Sequence, residues 1–246
     1  MNIIKTKSFE LAVNIKGDPS STKLAILIPG RLDTKDYCNF VSHANYLVSK
    51  SFFVVAFDPP GTWDSPGGID IYSTTNYIIA VNELIEYFGN KSTLLLGHSR
   101  GAATAILAGA PNPNVIGIVS IIANYGKPTP LDQESLQKGF KISYRDLPPG
   151  NSPTKKQKEF LLPISYWEDG KNYDAGDSLK KCSKPKLLVY GSKDEFTTVE
   201  EVEKLYTLIP EPKMLKLVDS THDYRYFPEA IEEINLVIGK FLDSAI

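Results

Sequence analysis

Gly97-His98-Ser99-Arg100-Gly101 stands between Leu94-Leu95-Leu96 and a run of small residues that begins at Ala102. The leucines belong to a short apolar strand at 93–96, and the spacing of 102–110 predicts a helix. A strand that passes directly into a helix through so few residues leaves no room for a side chain on either side of the turn, and glycine fills both flanks. The serine between them is held on a strained backbone, with its hydroxyl exposed near a helix N-terminus. Strand, G-x-S-x-G and helix together form the setting of a nucleophile elbow. A helix N-cap serine is the plainer reading of Ser99, but it would not need the flanking strand and both glycines.

On either side of this turn the same alternation recurs. Residues 9–15 alternate apolar and polar and read as an antiparallel edge strand before the turn Gly17-Asp18-Pro19-Ser20. Residues 23–28 form an apolar strand stopped by Pro29-Gly30. Helical spacing of Tyr37, Phe40, Val41, Ala44, Leu47 and Val48 predicts a helix at 36–50. The unbroken apolar run 52–57 suits a strand buried on both faces. A Gly/Pro-rich loop at 58–70 leads to a helix through Ile78, Val81, Ile85 and Phe88, and a strand is expected at 115–123.

From 125 to 183 the rhythm stops, and Lys, Asp, Gln and Pro dominate. Helices are expected near 132–140 and after Ser152-Pro153, where a cap is followed by proline at the first helical position. Alternation then resumes with a strand at 186–190, a helix striped by Val199, Val202, Leu205 and Ile209, a strand at 214–218 and a last helix after Pro228. Strands alternating with helices predict an α/β fold: a mostly parallel central sheet with helices on both faces. Residues 1–124 and 184–246 make its core. Residues 125–183 are an inserted helical lid after the sixth strand.

Composition narrows the function classes. The chain has 246 residues, 42% hydrophobic and 23% charged, and Lys+Arg 27 against Asp+Glu 29 leaves a net charge of −2. Nothing in that balance attracts nucleic acid or an anionic membrane, so a small-molecule substrate is expected. No apolar run is long enough to span a bilayer, and the first ten residues lack the apolar core of a secretion signal. Cys38 and Cys182 suit thiols in a reducing cytoplasm better than a disulfide. No Cys/His spacing fits zinc and no glycine-rich loop fits a phosphate cradle, so no metal or organic cofactor is expected. Oligomeric state is not legible.

A serine hydroxyl attacks a carbonyl only when a base takes its proton and an acid orients the base. His98 lies inside the elbow and points away from the serine. His43 sits on a helix. His222, in the loop after the strand at 214–218, is the candidate base. Asp194, just past the strand at 186–190, is the candidate acid. Asp219, Asp223 and Asp58 are rivals, while the place after the sixth strand holds Asn124, which carries no charge.

In these motifs the chain resembles an α/β-hydrolase, from about Lys23 to Phe241. Asp58-Pro59-Pro60-Gly61-Thr62-Trp63-Asp64-Ser65 is similar to that family's D-x-x-G-x-G-x-S loop, with Trp63 in place of a glycine. Lys184–Gly191 with Asp194 resembles its acid-bearing strand, and Thr221-His222 its histidine loop. Ser99, Asp194, His222 is the family's order of catalytic residues. The insertion also resembles, less closely, that of bacterial feruloyl and cinnamoyl esterases.

The resemblance implies an oxyanion hole built from the backbone N–H groups of Arg31 and Arg100, although Pro29-Gly30-Arg31 replaces the family's His-Gly. It implies hydrolysis of a small carboxylic ester, with thioester, amide or carbon–carbon cleavage as alternatives on the same residues. A ligand-binding protein with an idle triad is a further alternative. Trp63, Tyr125 and Trp167, with Tyr144 and Tyr166, are candidates for a substrate pocket, though each also suits ordinary packing. The Arg31 and Arg100 side chains either reach the site, where they would favour a carboxylate-bearing substrate, or pair with surface acids.

Overall fold

The computed structural model describes residues 2–246. In chain order the elements are β1 (Asn2–Lys5), β2 (Glu10–Lys16), β3 (Lys23–Ile28), α1 (Cys38–Ser49), β4 (Phe53–Phe57), α2 (Thr74–Tyr87), β5 (Ser92–His98), α3 (Arg100–Gly109) and β6 (Val115–Ile121). There follow α4 (Gln133–Lys138), β7 (Phe140–Asp146), β8 (Gln157–Pro163), α5 (Ser165–Gly170), α6 (Ala175–Leu179), β9 (Lys186–Gly191), α7 (Val199–Leu208), β10 (Lys213–Val218) and α8 (Pro228–Ala245). The central sheet has eight strands in the order β1-β2-β4-β3-β5-β6-β9-β10. β1 and β2 run antiparallel to their neighbours, and every pairing from β4 to β10 is parallel.

Side chains of successive strand residues point to opposite faces, so an unbroken apolar run serves two cores. Leu24, Ile26 and Ile28 of β3 join Val55, Phe57 and Leu95 beneath α2 and α3. Ala25 and Leu27 join Val54, Ala56, Leu94 and Leu96 beneath α1 and α8. The stretch 9–15, expected at the sheet edge, is instead second in the sheet. Ile3 and Ile4 of the short β1 pair outside it, at Ala12 and Leu11.

The insertion differs more. No helix follows Ser152-Pro153. Residues 157–163 form β8, paired antiparallel with β7, with Phe140 opposite Pro163 and Asp146 opposite Gln157. The local start signal is overridden by a period-2 pattern: Phe160 and Leu162 are buried while Glu159 and Leu161 are exposed. The Phe160 ring packs edge-on against Trp63, 5.6 Å between centroids. The segment is therefore a β-hairpin flanked by short helices, and the purely helical lid expected from sequence is corrected. Among the described residues no helix is long and apolar enough to cross a membrane.

His43, on α1, is fully buried in the second core. Its Nδ1 donates to Asn235 Oδ1 at 2.7 Å, and the Tyr224 hydroxyl donates to Nε2 at 2.9 Å while accepting from Asn39 Nδ2 at 2.8 Å. Burial pushes its pKa down from 6.5 to about 4, against the weaker upward pull of Asn235. Between those values the unfolded chain binds a proton that the native chain refuses, so this residue's contribution to stability is present at neutral pH and lost as pH falls toward 4. Urea unfolding at pH 7 and pH 4.5 should show a His43-dependent loss of ~2 kcal/mol. His43→Gln should flatten that part of the slope, and an unchanged slope would refute the assignment.

Candidate functional site

The parallel strands point their carboxyl ends to one side, where α/β sheets gather their ligand-contacting loops. Four non-glycine residues with positive φ lie just beyond those ends: Leu32 (61°), Trp63 (48°), Ser99 (52°) and Ile122 (45°). Such conformations cost about 1–3 kcal/mol each and persist only where surrounding contacts enforce them. At Ser99 the enforcement is visible. A Cβ on Gly97 would sit 2.3 Å from the carbonyl oxygen of Gly101, and one on Gly101 would sit 2.0 Å from that of Ile28. The elbow closes only because both positions lack a side chain.

The fold brings Ser99, His222 and Asp194 together. His222 Nε2 is 2.8 Å from Ser99 Oγ, and His222 Nδ1 is 2.9 Å from Asp194 Oδ1. The Asp194 carboxylate is buried, and its Oδ1 also accepts the Phe196 N–H at 3.1 Å. The His222 N–H donates to Glu195 Oε2 at 3.0 Å, which ties the histidine loop to the loop after β9. With Nδ1–H directed at the carboxylate, Nε2 is the free acceptor facing the serine. Of the rival acids, Asp58 pairs with Lys35, Asp219 with Lys193 and Asp223 with Arg225.

Ser99 and His222 open into a cleft of about 490 Å³, whose walls include Arg31, Arg100, Tyr166, Trp167 and Phe196. That volume suits a small organic ligand. The insertion contributes Leu131, Lys141, Tyr144 and Arg145 to the walls. Among the described residues, the backbone N–H groups of Arg31 and Arg100 have no protein acceptor. Two expected pocket residues lie elsewhere. Trp63 donates Nε1–H to the Leu32 carbonyl at 2.8 Å and packs between Tyr37 and Phe160. Tyr125 is buried with its hydroxyl 3.2 Å from Ser120 Oγ. Both rings support loops beside the cleft rather than lining it; Trp167 does line it.

A profile of the alpha/beta hydrolase fold matches residues 25–145. Solved structures agree along the whole chain. Est1E from Butyrivibrio proteoclasticus, determined with ferulic acid bound, superposes with TM-score 0.76 at 17% identity, over 100% of this chain and 99% of that one. Alpha/beta hydrolase domain-containing protein 10 from mouse gives 0.76 at 19% identity, covering 98% of each chain. This is an α/β-hydrolase-fold protein. The thioesterase domain from the curacin biosynthetic pathway is similar as well, with TM-score 0.72 at 14% identity over 96% of this chain and 98% of that one. No curated protein is significantly similar in sequence.

Within this α/β-hydrolase fold, sequence reasoning missed the supports beneath the histidine. His98, read as pointing away from Ser99, is buried under the site. Its Nε2 lies 3.0 Å from the His222 carbonyl oxygen and its Nδ1 3.4 Å from Asp33 Oδ2. The two imidazole rings are 5.2 Å apart. Burial alone would raise the Asp33 pKa, yet the His98 hydrogen bond and the Arg145 and Arg225 charges outweigh it and hold the pKa at about 2. The cue was the His-Ser pair inside the elbow, but only the fold reveals which groups the ring faces.

Proposed function

We propose that the chain is a serine hydrolase that cleaves small carboxylic esters through an acyl-enzyme on Ser99. The observation that carries this reading is the hydrogen-bonded relay from Asp194 through His222 to Ser99 at the wall of an open cleft. Ser99 Oγ attacks the ester carbonyl as its proton passes to His222 Nε2. Asp194 keeps the imidazole oriented and stabilises the imidazolium that forms. The N–H groups of Arg31 and Arg100 receive the negative charge on the former carbonyl oxygen, where one such donor is worth about 2.7–4 kcal/mol. Collapse of the tetrahedral intermediate breaks the bond to the alcohol oxygen, which takes the proton from Nε2. Water, deprotonated by His222, then attacks the acyl-enzyme and releases the acid and the serine.

The segment 125–183 serves as the lid in this reading, since residues of its hairpin and of α5 wall the cleft. Lid elements of this kind shape the pocket and gate entry.

A fluorophosphonate probe tests the reading without knowledge of the substrate. Intact mass should rise by one adduct per chain, and peptide mapping should place it on Ser99. An unmodified chain, or an adduct on another residue, would overturn the proposal.

A further inference from the structure

Among the described residues, Arg31 lines the cleft with no acid at ion-pair distance. Its guanidinium lies 5.9 Å from the Trp167 ring centroid. Its Nε is covered and has no hydrogen-bond partner, and the same is true of the hydroxyl of Tyr166 in the same cleft. The nearby acids are engaged elsewhere: Asp33 lies 3.4 Å from Arg145 Nε and 3.4 Å from His98 Nδ1, and Asp146 lies 2.8 Å from Arg225. The Arg31 pKa is held below its ordinary value. Burial is the main cause, and the Arg145 charge pushes the same way. The residue is partly buried, and a guanidinium covered at Nε with no protein partner gains when a ligand brings the anion.

We propose that Arg31 binds a carboxylate carried by the substrate, so that the cleft selects esters bearing a second, ionised carboxyl group. This deepens the serine-hydrolase reading and rests on it. A single unpaired guanidinium neutralises one negative charge, and its planar fork matches a carboxylate in two parallel hydrogen bonds. The Tyr166 hydroxyl supplies a further donor. Arg100, on the same wall, adds positive field and has no ion-pair partner among the described residues.

The test compares kcat/KM for paired esters followed by pH-stat. Monoethyl succinate, glutarate and adipate place the carboxylate on the acyl side, against ethyl butyrate, valerate and hexanoate. The butyrate ester of 4-hydroxybutyrate places it on the alcohol side, against pentyl butyrate. At least one anionic ester should be preferred by about 10–100-fold over its neutral partner, the range for a charged hydrogen bond. Arg31→Met should collapse that ratio whatever it does to the absolute rate, and Arg31→Lys should retain part of it. No anionic preference on either side, or a ratio unchanged in Arg31→Met, would overturn the inference.

Calorimetric titration of Ser99→Ala with the same esters reads binding apart from turnover. Tighter binding of an anionic ester, lost when Arg31→Met is added, supports the site, and equal affinity for each pair overturns it. Anion binding retained in a chain whose Ser99 takes no fluorophosphonate would refute the hydrolase reading and leave the carboxylate site standing.

Discussion

Ser99→Ala is expected to lower kcat for p-nitrophenyl butyrate by ~10⁶, because a triad nucleophile cannot be replaced by its partners. What remains, about 10³–10⁴ over water, would come from binding and the oxyanion donors. The elbow geometry explains why no neighbouring group substitutes. Ser99 is the residue held at φ 52° at the end of β5, and its hydroxyl is the one 2.8 Å from His222 Nε2. The variant should fold, since Ser99 Oγ makes no other hydrogen bond among the described residues. Circular dichroism and thermal melting check the fold, and initial rates check the chemistry. A rate within tenfold of the parent would assign the hydrolysis to another group.

Lys35→Met is expected to cost about 3–5 kcal/mol of stability, the usual penalty for removing one partner of a buried ion pair. For a chain of this length that corresponds to a fall in Tm of roughly 6–20 °C. Lys35 Nζ lies 2.8 Å from Asp36, 2.9 Å from Asp58 and 2.9 Å from Asp64, and the Lys35 and Asp58 side chains are 2% and 0% exposed. The three carboxylates approach one another as a cation site would, but the cation among them is the chain's own ammonium. Burial raises the Asp58 pKa, and Lys35 is the main group pulling it back down.

Without Lys35 that carboxyl titrates higher still. An acid whose native pKa lies above its unfolded value favours the native state while protonated, and this contribution is lost as pH rises through the native pKa. The Lys35→Met deficit should therefore shrink toward pH 4 and be full at pH 7. Adding Asp58→Asn should recover part of the loss by removing the stranded charge. A deficit below about 1 kcal/mol at pH 7, by urea unfolding, would refute the ion-pair account.

Much of this molecule is legible in its sequence because the relevant signals are local. An apolar run such as 52–57 reports a strand covered on both sides, and glycines two residues from Ser99 report a turn too tight for side chains. The nucleophile candidate and the alternation of strands and helices follow from such short-range rules. Signals of the same kind misled at 152–163. The cap-and-proline start was real as a pattern, but pairing with β7 and burial of Phe160 and Leu162 outweighed it. Strand pairing depends on a partner elsewhere in the chain, and a local helix signal carries no information about that partner.

The resemblance to hydrolases let Asp194 and His222 be named from sequence, but their meeting with Ser99 is a tertiary fact. The base is 123 residues from the serine and 28 from the acid, and they converge because β5, β9 and β10 run parallel with their carboxyl ends together. For Arg31 the sequence offered two roles, reaching the site or pairing with a surface acid, without deciding between them, and for Lys35 and Arg225 it offered none. Lys35, Arg31 and Arg225 are alike as letters. The fold gives Lys35 a nest of carboxylates and Arg225 the Asp146 carboxylate, and it leaves Arg31 facing the cleft unpaired. Outside the inserted segment and β1, sequence by itself determined which segments are strands, helices and the sharp turn, because backbone sterics and hydrophobic periodicity act over a few residues. Tertiary structure alone decided which charges are satisfied and which are free to act, because electrostatic pairing acts through space between groups that the chain order separates.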